Sequence, residues 1–462
     1  MGATFIDGYL DRSKSLEVFS GETYMSYTNG VKEYSIDVTD KLVCFDARKL
    51  YATGLSHEKM IYDLKLLYEC DGELSRLVRS IDIQSRGDYL ELEKRFSAHT
   101  KAISAAKVDV EKIPLKELIP DDLRISYMNA RLLVMQQLWE KLSPETIVKY
   151  ESTVFPVFKD ILQMESSGIK IDEVYVDAQL KRNDLASHET KFFQHIKGNI
   201  KNGFVKTRIC PVGSKTWRLR VESGFNCMAI PHGVARRAIV SRFEGGKIAT
   251  LDFNAVDYRC LVKAVNSAEL NVVYDGQRDF HAATANVFGV VTPELREQVK
   301  KITYAHIYGS SIDTLQKLTR LPQARLNEMI KVLDERFAPI TKFRRELSDK
   351  ARKEGFVVTP AGHKIDIDKR DHDGKIIGLF AQTFSSSILN ASLKIALQLL
   401  HFYKLDKDSK SKIIFTVHDE IVVDVHPEEE GIVGLMKKFI EAITGFVVKQ
   451  KEGKSYGEAT DG

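Results

Sequence analysis

The sequence predicts a multidomain protein of mixed α/β and α+β class. Three observations carry this reading. The chain has 462 residues, more than one hydrophobic core usually organises. Over residues 1–150 short strand-like runs alternate with helical stretches, as KLVCFDA does with MIYDLKLLYE and YMNARLLVMQQLWEKL. In the second half, KIATLDF and the pair KIIFTV and IVVDV read as strands separated by long helical periodicity. With 43% hydrophobic, 9% aromatic and 29% charged residues, the composition excludes general disorder.

The elements follow in chain order. Val154, Val157, Phe158, Ile161, Leu162 and Met164 recur at helical spacing between Pro144 and Ile171, predicting a helix that ends near Gly168. A polar helix and a basic irregular stretch to Gly246 come next. From Lys201 to Lys247 there are ten bases and two acids, a charge of +8 in 47 residues. Such runs are often only solvated faces, but Trp217, Phe225 and Phe243 interleave with the bases, which suits a surface tracking a nucleic-acid backbone. The chain's net charge of +4 permits that partner without demanding it.

KIATLDF places Asp252 at a strand end, with Asp257 just beyond, and KIIFTV and IVVDV flank an acidic hairpin tip, His418-Asp419-Glu420. Turn-forming aspartates explain either site alone. Two acids lifted to the ends of apolar strands, however, are costly without a cation to meet them. Arg296, Lys300, Tyr304 and Tyr308 recur every fourth residue, which on a helix advances each by roughly 400° and keeps all four on one stripe. Two bases and two rings on one face can hold a polyphosphate at one end and a base or sugar at the other.

Other chemistries are disfavoured. The five cysteines, Cys44, Cys70, Cys210, Cys227 and Cys260, are scattered without a CxxC pair, against a disulfide framework or zinc ribbon. The N-terminal MGATFIDGYLD lacks the apolar stretch of a signal peptide. The longest uncharged run, Ile376 to Leu393, carries Gln382, Thr383, Ser385 to Ser387 and Asn390 and reads as too polar to span a membrane. No internal repeat stands out, and a cytoplasmic protein is expected.

In combination, TLDFNAVDYRCL, REQVKKITYAHIYGSS and TVHDEIVVDV resemble motifs A, B and C of the family A (DNA polymerase I-like) DNA polymerases. RRAIVSRFEGGK, RDFHAATANVFG and EGFVVTPAGHK stand between them in the family's order. The resemblance covers residues 205–462 well and the rest more faintly. It implies an RNase H-like, exonuclease-like domain at 1–145, a reduced thumb and linker at 146–217, a right-hand palm at 218–268 and 376–462, and fingers at 269–375. It further implies DNA synthesis by two-metal nucleotidyl transfer from dNTPs to a primer end. Asp252, Asp419 and the carbonyl of Phe253 would hold two Mg²⁺ ions, with Mn²⁺ as a substitute. Arg296 and Lys300 would neutralise phosphate, Lys300 also protonating the leaving group. Tyr304 would pack on the sugar, Tyr308 lie by the templating base, and Glu420 support the hairpin. Arg218, Arg236, Arg237, Gln382, Ser386 and His418 would face primer-template DNA. A processivity factor, helicase or primase would be further partners, and the setting a bacterium or a phage-infected cell.

Several positions depart from the family. Asp257 stands for a glutamate that guards the nucleotide 2′ position, implying weaker exclusion of ribonucleotides. Tyr304, often Phe in the family, implies ready use of dideoxynucleotides. Ser386 stands for a minor-groove glutamine, with Gln382 one turn earlier, implying lower fidelity. KLVCFDARKL keeps Asp46, but the third exonuclease motif reads Tyr127-x3-Arg131, where a carboxylate should hold a metal; no proofreading is expected. Gly168 and Arg218, which bracket the thumb region, are only 50 positions apart, implying a weak grip on the duplex. Two alternatives stay open: a single-subunit RNA polymerase or primase, against which His-Asp-Glu at motif C argues, and an inactive nucleic-acid-binding subunit.

Overall fold

The computed structural model describes residues 137–461 apart from 213, 275–278, 309 and 403–408, and, before residue 137, stretches 3–10, 16–20, 23–27, 41–44 and 61–70 with a few isolated helical positions. Asp46, Tyr127 and Arg131 lie outside the described residues. The chain forms two compact units, Met1–Leu162 and Gln163–Gly462.

The first unit contains a five-stranded sheet of β1 (Ala3–Leu10), β2 (Leu16–Ser20), β3 (Thr23–Tyr27), β4 (Lys41–Cys44) and β5 (Ile61–Asp63), in the order β3-β2-β1-β4-β5. The pairs β1/β2 and β2/β3 are antiparallel, whereas β1/β4 and β4/β5 are parallel. Tyr150, fully buried, anchors the following helical segment to this sheet: its hydroxyl donates to the Ile61 carbonyl at 2.7 Å and accepts from the Asp63 amide at 3.2 Å.

The helix expected between Pro144 and Gly168 is present with one irregularity. Ser143 caps its start and Pro144 supplies the first turn. A π-helical turn over Tyr150–Val154 then leads into α1 (Phe155–Ser167), adding a residue that shifts the apolar stripe. The helix stops at Gly168, whose φ of +63° favours glycine.

In the second unit a short antiparallel ribbon, Thr207–Cys210 with Arg220–Gly224, precedes β6 (Lys247–Phe253). After β6 come α2 (Val256–Val265), α3 (Phe280–Ala285) and α4 (Pro293–Ile307). Helices Ile312–Thr319, Gln323–Arg336 and Ala338–Glu354 share an apolar core with these, built around the stacked rings of Tyr258, Tyr274, Phe280 and Phe337. The 30-residue helix α5 (Asp373–Phe402) leads to the hairpin of β7 (Lys412–Val417) and β8 (Glu420–Val425), then α6 (Ile432–Thr444), β9 (Val448–Gly453) and a terminal helix, Tyr456–Asp461.

The four strands make an antiparallel sheet in the order β7-β8-β6-β9. Helices pack against it, so residues 421–425 of β8 are all buried, and its apolar run does not alternate. By length and mean hydropathy of 1.3, α5 could cross a membrane, contrary to the sequence reading of its run as too polar; 67% of that window is buried inside the protein, as expected of a core helix.

Part of the basic stretch is taken up by contacts within the protein. Arg242 is a lock: its Nε donates to Asp424 at 2.7 Å, and its Nη1 and Nη2 donate to the carbonyls of Ser167 and Gly168 at 2.7 and 2.8 Å. Arg208 pairs with Glu222, and Lys247 with Glu430. Phe225, read as part of a nucleic-acid face, is fully buried and packs on Phe192. Of the ten bases, Lys201, Lys206, Lys215 and Arg237 are among the exposed ones.

Candidate active site

The central sheet brings the strand-end acids together. Asp252 is the penultimate residue of β6, and β6 pairs with β8 so that Asp252 stands directly opposite Glu420. Val417 and Glu420 flank a two-residue tip in which His418 has a left-handed φ of 53°. The amide of Phe253 donates to the Asp419 carbonyl at 3.1 Å, which ties the tip to the end of β6. Behind Glu420, the Tyr456 hydroxyl donates to its Oε1 at 2.8 Å, and the Arg236 guanidinium lies over the Tyr456 ring at 4.9 Å.

Burial, then the charges of Asp252 and Asp257, pushes the Asp419 carboxyl up to about 7. Glu420 is pushed up to about 7 by burial and the charge of Asp252, against the Tyr456 hydrogen bond. Asp252 is raised by burial, with Lys449, Lys300 and Lys451 opposing. Carboxylates that resist sharing negative charge fit a cation, and an all-oxygen donor set suits Mg²⁺ or Mn²⁺. Among the described residues no three acidic, His or Cys side chains gather in ligating geometry.

The predicted basic stripe lies on α4, with Tyr308 as its C-cap. Thr292 caps the start and Pro293 follows. The Tyr304 and Tyr308 rings are near parallel, 6.4 Å apart at 13°. Burial, followed by the charges of Asp257, Asp419 and Asp252, raises Tyr304, so its hydroxyl stays neutral, and the charge of Lys300 opposes the raising of Asp252, which puts these two members of the stripe in electrostatic range of the acids. Arg296 is held by Asp279, Nε to Oδ2 at 2.8 Å, while Asp279 Oδ1 caps α3 through the Ala282 amide.

Sequence reading missed His281. It lies on α3 at 3% exposure, with its ring 5.5 Å from that of Tyr304 and Nδ1 without a hydrogen-bond partner among the described residues. Burial and the charges of Lys300 and Arg296 hold it down at about 4, so it is neutral at physiological pH. RDFHAATANVFG was visible as a supporting motif, but spacing alone could not bring His281 beside α4.

Asp257, in the first turn of α2, is 9% exposed. It accepts from the Tyr308 hydroxyl at 2.9 Å, and Arg218 Nη2 lies 3.3 Å from both its oxygens. Gln382 on α5 lies beside the Tyr308 hydroxyl and works against the raising of its pKa. Gly378, one turn earlier, permits the close approach, since a Cβ there would lie 2.8 and 2.9 Å from ring carbons of Tyr308. Arg218, expected to face DNA, is thus occupied by Asp257. Ser386 and Arg236, also expected to face DNA, are 5% and 9% exposed: Ser386 is among the buried residues of α5, and Arg236 lies over the Tyr456 ring behind Glu420. Arg237 is exposed, and His418 lies at the hairpin tip.

Comparison with known proteins adds independent findings. The sequence model of DNA polymerase family A matches residues 134–458. DNA polymerase I of Caldicellulosiruptor bescii is 26% identical over 340 residues, covering 70% of this chain and 40% of that protein. DNA polymerase I of Lactococcus lactis subsp. lactis is 24% identical over 458 residues, covering 93% of this chain and 51% of that protein. The chain therefore spans about half, or less, of the length of these relatives. Among solved structures, the POL domain of Pol1 from M. smegmatis, in complex with DNA primer-template and dNTP, superposes with a TM-score of 0.70 at 16% identity, over 99% of this chain and 95% of that one. That likeness is one of fold.

Proposed function

The chain belongs to DNA polymerase family A and has a helix-rich mixed α/β fold of that family, and from this we propose that it is a DNA-directed DNA polymerase that extends a primer 3′ end with dNTPs. The reading is carried by Asp252 and Asp419 at the joined ends of β6 and the β7–β8 hairpin, with Lys300 and Tyr304 of the α4 stripe in electrostatic range of them, since nucleotidyl transfer needs phosphate-binding cations beside metal-binding carboxylates. Two Mg²⁺ ions on Asp252, Asp419 and the Phe253 carbonyl, or Mn²⁺ in their place, would supply an activated primer hydroxyl and charge neutralisation on the triphosphate.

The chain's own groups do the rest. Arg296, Lys300 and neutral His281 meet phosphate oxygens, and Asp279 keeps Arg296 aimed. As the primer hydroxyl gives up its proton to solvent and its oxygen bonds to the α-phosphorus, the bond from that phosphorus to the oxygen bridging to the β-phosphate breaks, and Lys300 gives a proton to the departing pyrophosphate. Tyr304 packs on the sugar, and Asp257, held by Tyr308 and Arg218, bounds the space at its 2′ position. Base pairing selects the nucleotide, so the protein needs backbone contacts and a shaped pocket rather than base readout.

Within this reading the first unit is an RNase H-like exonuclease relic. The sheet order β3-β2-β1-β4-β5 with its parallel half supports that assignment, and Arg131 at a position that needs a carboxylate supports loss of proofreading. The short helices after Gly168 support a reduced thumb. Primer extension with Mg²⁺ tests the activity: Asp419→Asn and Asp252→Asn should each lose it by several orders of magnitude. Undiminished incorporation by Asp419→Asn would sink the assignment. The same assay with rNTPs tests the RNA-synthesis alternative, which requires rNTPs to be the better substrates.

A further inference from the structure

Across the functional end of the central sheet, strand pairing lines up one row of side chains on one face. Lys449 on β9 is the register partner of Asp252 on β6, and Asp252 is the partner of Glu420 on β8. Partners in an antiparallel pair have Cβ atoms about 4.5–5.5 Å apart and share a face. The row therefore reads cation, anion, anion. Two like charges directly opposite one another destabilise a sheet, and here a third strand adds the opposite charge beside them. Lys449 is exposed and therefore free to reorient its long stem, whereas Glu420 is fixed by Tyr456. Lys451, two residues on along β9, is held by the Thr460 carbonyl at 3.0 Å. Of the charges opposing the burial of Asp252, that of Lys449 is the largest.

We propose that Lys449 is a built-in counter-cation of the metal site, which balances Asp252 and Glu420 in the free chain and competes with the first divalent ion. This rests on the assignment of Asp252 and Asp419 as metal ligands. A positive charge carried on a flexible stem beside a ligand weakens binding of a second cation there, through Coulomb repulsion that bulk salt only partly screens at this range. The free chain then holds divalent ions loosely. Loading is deferred until a nucleotide brings its own negative charge, and Lys449 acts as a positioning residue that makes ion entry depend on the triphosphate.

The test is Mn²⁺ binding to the full chain without nucleotide or DNA, followed by electron paramagnetic resonance. Lys449→Arg keeps the charge and should bind as the unaltered chain does. Lys449→Gln should bind Mn²⁺ tighter by roughly 3- to 10-fold, and Lys449→Glu tighter still. Lys454→Gln, an exposed lysine just beyond β9, controls for a general change of charge and should leave binding as it was. With a non-hydrolysable dNTP present, the spread among the variants should narrow. Binding by the Gln and Glu variants that equals that of the unaltered chain overturns the inference while leaving the polymerase reading intact, as does an Arg variant that behaves like Gln. Equal Mn²⁺ binding by Asp419→Asn would overturn both, because the ions would then sit elsewhere.

Discussion

Tyr308 shows how much one side chain's position depends on residues far away in sequence. Its hydroxyl is fixed by Asp257 at 2.9 Å, and its ring lies against Gly378. In a helix such as α5, alanine is intrinsically better than glycine by roughly 1 kcal/mol. At position 378, however, the new Cβ would fall 2.8 Å from a ring carbon, and such overpacking costs about 1–3 kcal/mol. Gly378→Ala should therefore be neutral to destabilising by roughly 2 kcal/mol. It should also push the ring off Asp257, raising KM for dNTPs more than it lowers the melting temperature would explain. Unchanged KM and an increased melting temperature would mean that the ring is not held there. The letters at 257, 304 and 308 could be read for their chemistry in the sequence. That Arg218 would clamp Asp257, and that His281 would face Tyr304, could not, because spacing along the chain says nothing about partners brought together by folding.

The elements themselves were largely legible. The β7–β8 hairpin, β6 with Asp252 next to its end, α4 with its stripe and the stop at Gly168 were all written in local periodicity and turn residues. The basic stretch was not, since charge is counted in sequence but spent in space: Arg242 and Phe225, which looked like surface, turned out to be internal. Glu429 is a comparable hidden acid. It lies in the turn between β8 and α6, fully buried, and accepts from the Lys410 amide at 3.0 Å and the Ser411 amide at 2.7 Å. Burial works to raise its pKa, but these bonds and the Ser409 hydroxyl outweigh it and hold the carboxyl at about 2, against an ordinary 4.5. A depressed folded-state pKa contributes stability that is present above about pH 4.5 and lost as pH falls towards 2. The contribution is on the order of 3 kcal/mol. Glu429→Gln should therefore melt well below the unaltered chain at pH 7, and the gap should shrink by more than half at pH 3. A gap independent of pH would show that the charge on Glu429 is not what holds this turn.

At the scale of the whole molecule, the question is how firmly this chain can hold a duplex. Between Gly168 and Arg218 the structure offers helices Glu173–Leu180 and Ser187–Asn199, of 8 and 13 residues, which span roughly 12 and 20 Å. Duplex DNA carries a negative charge about every 1.7 Å, and binding strength follows the number of phosphates neutralised. Much of the +8 stretch is committed within the protein: Arg208 to Glu222, Arg218 to Asp257, Arg242 to Asp424 and Lys247 to Glu430. Lys197, on the longer helix, pairs with Asp177. Short helices, and a basic stretch in which Lys201, Lys206, Lys215 and Arg237 are the exposed bases left over from these pairs, offer few phosphate contacts in this region. We therefore expect distributive synthesis. On a long primed single strand with excess heparin as a trap, one encounter should add only a few nucleotides, and lowering the salt should lengthen the products because each remaining contact then counts for more. Products thousands of nucleotides long from a single encounter, insensitive to salt, would mean that the grip comes from a surface other than residues 168–218.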